Sequence, residues 1–186
     1  MRCFIKYMVC DRCKTLVIDA LNKIGINYDR VSLGELHLSQ KMTLRQFVQL
    51  KELLKKSGFE LLDEKQNILI ESLLNSIDDM VDFPENVLNN IDREHGYQGH
   101  FRNADSLNLL FSEVECISIE KYIDVQKISK IKEMLSYNEL SITQIASIMH
   151  YKSTAQFYGH FKSCTGLNPV YFKKLRTRLP YHQGCN

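Results

Sequence analysis

The chain has 186 residues, 44% hydrophobic and 25% charged, with a formal charge of +2, which supplies one or two buried cores and excludes a disordered chain. No apolar run approaches the roughly 18 residues of a membrane-spanning helix, and the start, Met1-Arg2-Cys3-Phe4, lacks a signal-like stretch. Two modest domains of a cytoplasmic protein with no membrane partner are therefore expected.

The six cysteines, at 3, 10, 13, 116, 164 and 185, are then expected to stay reduced, with any close pair serving metal or redox chemistry. The small net charge hides an asymmetry: residues 1–62 carry +5, residues 63–126 carry −10 and residues 127–186 carry +7. A polyanion would be drawn to the last third and repelled by the middle.

The first predicted element is a strand over RCFIKYM, where Phe4 and Lys6 alternate with Cys3, Ile5 and Tyr7. The pair Cys10 and Cys13 follows as a strand-to-helix loop. Leu16, Val17, Ala20, Leu21 and Ile24 then line one helical face, and Gly25 marks its end. In VSLGELHL a two-residue turn at Gly34-Glu35 is expected to join two strands, setting Leu33 opposite Leu36 and Val31 opposite Leu38. Thr43 and Gln46 spell a capping box for a second helix, with Leu44, Phe47, Val48 and Leu54 on its apolar face, before the strand FELL. The order is strand, helix, strand, strand, helix, strand, a ferredoxin-like βαββαβ domain over residues 1–62.

With MVCDRC at its first strand-to-helix loop, this segment resembles a heavy-metal-associated domain, the fold of copper chaperones. The resemblance implies that Cys10 and Cys13 hold a soft ion through their thiolates and that Met8 packs beneath the loop; Tyr7 stands in place of the family's usual glycine. Two thiolates suit Cu(I) better than Zn(II), for which Cys3, His37 and Cys185 are candidate further ligands. The helix N-terminus, Arg12 and Lys14 are expected to lower the thiol pKa values. A loop that has lost its metal on a retained fold, and a redox CxxC pair, remain as other readings.

DEKQN, residues 63–67, reads as a polar linker, and residues 68–186 as an all-α domain. Within SITQIASIMHYKSTAQFYGHFKSCTG, Ser141 with Gln144 and Ser153 with Gln156 spell two capping boxes twelve residues apart, the spacing of a helix-turn-helix. Ile142, Ile145, Ala146 and Met149 form the buried side of the first helix, and Phe157, Phe161 and Cys164 that of the second.

SITQIA, FYGHFK and TGLNPVYFKKLR resemble the AraC/XylS family of transcriptional regulators, whose DNA-binding region holds two helix-turn-helix units. The resemblance implies a recognition helix from Ser153 to Thr165 in the major groove. Thr154, Ala155, Gln156 and Tyr158 then meet base edges, and Ser153, Lys162 and Lys152 meet phosphates. It also implies that Asp105, Ser106 and Asn108 lie near the reading positions of the first helix-turn-helix unit, which is either a half-site reader or a structural unit with weak DNA contact. Gly159 stands where the family commonly has an arginine, and His150 replaces the usual turn glycine. Lys173, Lys174 and Arg176 of the basic tail are expected to bind phosphate.

Cys116 and Cys164 are expected in the core, and the scattered histidines give no zinc motif. No catalytic carboxylate pair, nucleophile elbow or phosphate-cradling loop appears, so no enzyme is expected. The combined expectation is a DNA-binding regulator responsive to Cu(I) or Zn(II). Its partners are double-stranded DNA and, as further candidates, a metal ion and a second copy of the chain. A metal carrier or protein-interaction module, and a redox-sensing regulator, are the alternatives.

Overall fold

The structure is a computed structural model and describes residues 1–82, 104–137 and 139–178, the side chains of 104–105 and 176–178 excepted. It divides into two units, one of Met1–Asn75 with Tyr97–Ile119, the other of Ser76–Gly96 with Glu120–Asn186. Cys185 and residues 83–103 lie outside the described residues.

In the first unit the elements run β1 (Arg2–Lys6), α1 (Asp11–Lys23), β2 (Tyr28–Val31), β3 (Glu35–Leu38), α2 (Leu44–Lys56), β4 (Glu60–Leu61) and the first part of α3 (Glu64–Asp82), whose residues from Ser76 on belong to the second unit. The strands form one antiparallel sheet in the order β2-β3-β1-β4. One sheet face, with Cys3, Ile5, Leu36 and Leu38, packs on Val17 and Leu21 of α1 and Leu50 and Leu54 of α2. Burying such side chains stabilises by about 1.5–3 kcal/mol each. The other face carries Phe4 and Lys6, both buried.

Several expectations need correction in this unit. On α1, Leu16 is exposed, while Val17 and Leu21 are buried. The hairpin pairs Val31 with Leu36 rather than Leu38, because the turn is Leu33-Gly34, closed by the Ser32 N–H to the Glu35 carbonyl at 2.8 Å. Gly34 takes a φ of +75°, and a Cβ there would lie 2.4 Å from the Val114 carbonyl oxygen, so both backbone conformation and close approach demand glycine. On α2, Leu44 and Val48 are exposed; the buried stripe runs through Phe47, Leu50 and Leu54 instead.

Residues 63–67 are not a linker. Asp63 Oδ1 accepts from the Gln66 N–H at 2.9 Å and Gln66 Oε1 from the Asp63 N–H at 3.2 Å, a reciprocal cap that starts α3 at once. Asn67 is buried, accepting from the Phe4 N–H at 2.8 Å and donating to the Leu62 carbonyl at 3.1 Å. The segment is polar because it satisfies backbone groups.

A helix from the later part of the chain, α4 (Ala104–Glu115), also belongs to this unit. Leu107, Leu110, Phe111 and Val114 are buried. The second unit holds α5 (Ile119–Tyr137), α6 (Ile142–Ile148), α7 (Thr154–Thr165) and α8 (Pro169–Arg178). Its core joins Ile128, Ile131 and Leu135 of α5 to Ile145, Ala146, Met149, Phe157 and Phe161. Tyr151 meets Phe157, and Phe161 meets Phe172, edge to face at 5.3 and 5.7 Å. Among the described residues no helix is long and apolar enough to cross a membrane.

Candidate metal centre and nucleic-acid interface

The thiol loop leaves β1 at Tyr7, whose φ is +70°, a conformation that glycine adopts at no steric cost and tyrosine only with help. That help comes from α4: the Tyr7 N–H donates to the Glu113 carbonyl at 2.8 Å and its hydroxyl to Glu113 Oε1 at 3.0 Å. Lys6 reaches Glu113 at 3.1 Å and Glu60 at 3.2 Å. Burial works against the Lys6 ammonium, but hydrogen bonds to these carboxylates outweigh it and raise its pKa. Met8 is fully buried beneath the loop.

Cys10 occupies the N-cap of α1 with extended backbone and no side-chain cap bond, leaving its sulfur free for other chemistry. Its Sγ lies 3.5 Å from that of Cys13, and the Cys13 N–H donates to the Cys10 carbonyl at 2.9 Å. Burial opposes ionisation of Cys13, yet hydrogen bonds from the Cys10 backbone and thiol and from the Val9 backbone prevail and lower its pKa. The loop's own geometry therefore favours the thiolate. Lys14, expected with Arg12 and the helix N-terminus to lower the thiol pKa values, pairs with Asp11 at 2.8 Å.

The residues expected as further ligands lie elsewhere. Cys3 is buried in the sheet core and burial pushes its thiol up to about 11. His37 pairs with Glu35 at 2.9 Å. Cys116, expected in the core, is exposed instead, at the end of α4 with a φ of +59°. Its thiol approaches the Met8 carbonyl at 3.5 Å, and burial, Glu115 and Cys13 raise its pKa. No sequence spacing announces a thiol placed beside the loop by a helix a hundred residues away. Next to it, burial and then the Glu35 carboxylate push Glu115 up to about 7, against the attraction of Arg2.

In the second unit the Ser141–Gln144 capping box forms in full. The second box forms only in half: Ser153 Oγ accepts from the Gln156 N–H at 3.2 Å, while Gln156 Oε1 turns to the Lys152 N–H at 2.9 Å. His150 takes the positive φ, +55°, expected of the turn position it fills.

On α7, Ser153, Ala155, Gln156, Gly159 and Lys162 are exposed along with the preceding Lys152, whereas Thr154 and Tyr158 are half-buried. Tyr158 packs on the core. Lys174 is exposed, but the Lys173 ammonium donates to the Leu140 carbonyl at 2.7 Å and so ties α8 to the α5–α6 turn. The side chains of Arg176 and Asp105 lie outside the described residues. Ser106 and Asn108 are exposed on α4.

No protein-family model matches the chain. Over 73 residues, 39% of its length, it is 29% identical to the melibiose operon regulatory protein of Escherichia coli, in strain K12 and in strain CFT073. The chain covers 24% of the length of those relatives. Among solved structures, the C-terminal domain of AraT, a response regulator from Geobacillus stearothermophilus, aligns with a TM-score of 0.45 and 19% identity, over 63% of this chain and 93% of that one. By name these are regulators.

Proposed function

We propose that the chain is a DNA-binding transcriptional regulator of AraC type whose N-terminal unit, a ferredoxin-like module of the heavy-metal-associated kind, takes a soft metal ion. The observation that carries the DNA-binding part is the α6–turn–α7 pair, with Ser153, Ala155, Gln156 and Lys162 on the exposed side of α7 and Phe157 and Phe161 in the core. The likeness to the melibiose operon regulatory protein supports it, as does the positive charge of residues 127–186. On this reading α7 enters the major groove, with Lys152, Lys162 and Lys174 toward phosphates and Gln156 and Ala155 toward base edges.

The metal part rests on the donor set. Two sulfurs side by side on one loop, one of them exposed and the other inclined to ionise, suit a soft ion of low coordination number such as Cu(I) better than Zn(II). Cys10 and Cys13 would hold the ion through their thiolates. The chain's own contribution is the loop's attachment to α4 through Tyr7 and Glu113, since α4 leads within three residues into α5. On this reading α4 transmits the state of the loop rather than reading bases with Asp105, Ser106 and Asn108. Metal then alters DNA affinity only if it binds two arrangements of the chain unequally.

A second reading, a thiol–disulfide switch, draws on the same 3.5 Å sulfur contact. Selection of bound sequences from random duplexes tests the DNA-binding part: one enriched motif supports it, and no enrichment above background overturns it. Repeating the binding assay with oxidant and with chelator separates the two inputs.

A further inference from the structure

Outside the thiol loop, one cluster of metal-ligating groups stands out among the described residues. Asp124 of α5 and His160 and Cys164 of α7 each offer one donor atom, and the three atoms lie within 4.8 Å of one another. His160 and Cys164 are four residues apart, one helical turn, so both project from the same face of α7. The His160 Nε2 faces Asp124 Oδ1 at 3.2 Å, and its Nδ1 meets the Tyr151 hydroxyl at 2.5 Å. All three side chains are half-buried.

We propose that Asp124, His160 and Cys164 form a site for one borderline divalent transition-metal ion of the Zn(II) class. The mixed nitrogen, oxygen and sulfur donor set suits that class, and three protein ligands leave a fourth position for water. Tyr151 supplies the outer support such sites use: accepting from Nδ1–H, it fixes the tautomer that leaves the Nε2 lone pair for the metal. On binding, the Cys164 thiol and the His160 Nε2–H that faces Asp124 each release a proton to solvent, and the contact between His160 and Asp124 is replaced by bonds to the ion. One thiolate and one carboxylate then neutralise the dication. The ion ties α7, the expected recognition helix, to α5. This site is independent of Cys10 and Cys13.

The test is Co(II) titration of the full chain carrying Cys10→Ser and Cys13→Ser, under reducing conditions. One Co(II) per chain is expected, with visible bands of tetrahedral intensity and a thiolate-to-Co(II) charge-transfer band. Adding Cys164→Ser abolishes the charge-transfer band and weakens binding by at least about tenfold. A second variant, Asp124→Asn, with its fold checked by circular dichroism, weakens binding similarly while keeping the charge-transfer band. A spectrum of hydrated, six-coordinate Co(II) in the doubly substituted chain overturns the site, leaving the ion-paired cluster purely structural. So does an unchanged spectrum after Cys164→Ser.

Discussion

Tyr7 and Glu113 are joined twice, backbone to backbone at 2.8 Å and hydroxyl to carboxylate at 3.0 Å. The pair fastens the thiol loop to α4 and holds a tyrosine in a left-handed conformation.

Removing the Glu113 side chain leaves the buried Lys6 ammonium with Glu60 alone. Glu113→Ala is expected to cost about 1–3 kcal/mol, measured by urea unfolding. Tyr7→Phe removes only an exposed hydroxyl bond and is expected to leave the midpoint nearly unchanged.

Glu115 gives the first unit a pH dependence. Its folded carboxyl keeps its proton up to about 7, against 4.5 as the ordinary value, so the folded state binds more protons in between. Stability is therefore fullest below pH 4.5 and falls as pH rises through 7, by on the order of 2 kcal/mol. Melting curves between pH 4 and 8 should show this loss, and Glu115→Gln should reduce it.

The cysteines should differ in reactivity. With its pKa at about 11, Cys3 is only ~0.1% thiolate at pH 8 and is buried as well. Alkylation followed by peptide mass mapping should label Cys10 first and Cys3 only after unfolding. Early labelling of Cys3 would contradict the placement of β1.

Two lysines that look alike in sequence should behave differently. Lys162→Ala should reduce the slope of log affinity against log salt by about one without changing stability. Lys173→Ala should lower stability, because its ammonium holds the Leu140 carbonyl. Conversely, nothing lies within 4 Å of a Cβ built on Gly159. Gly159→Arg should fit and raise DNA affinity, by about tenfold at low salt.

Much of this was legible in the sequence, because local rules govern it. The alternation of β1, the Val17–Leu21 stripe of α1, the Thr43 and Ser141 capping boxes and the Phe157–Phe161 core all follow from residues within a few positions. The misreadings share one cause, tertiary contact. The hairpin turn settled on Leu33-Gly34, where the Val114 carbonyl closes on the glycine. Asp63 and Asn67 looked like linker because their polar groups serve caps and backbone partners brought in by folding. Cys116 reached the thiol loop, and His160 reached Asp124, through helix packing that no spacing reveals.

The central claim is that a soft ion at Cys10 and Cys13 controls DNA binding. Its most direct test is the affinity of the full chain for a selected DNA sequence, measured with Cu(I), with Zn(II) and with chelator, for the natural chain and for Cys10→Ser/Cys13→Ser. The account expects Cu(I) to change the affinity of the natural chain and to leave the doubly substituted chain at its chelator value. Equal affinities for the natural chain in all three conditions would contradict it.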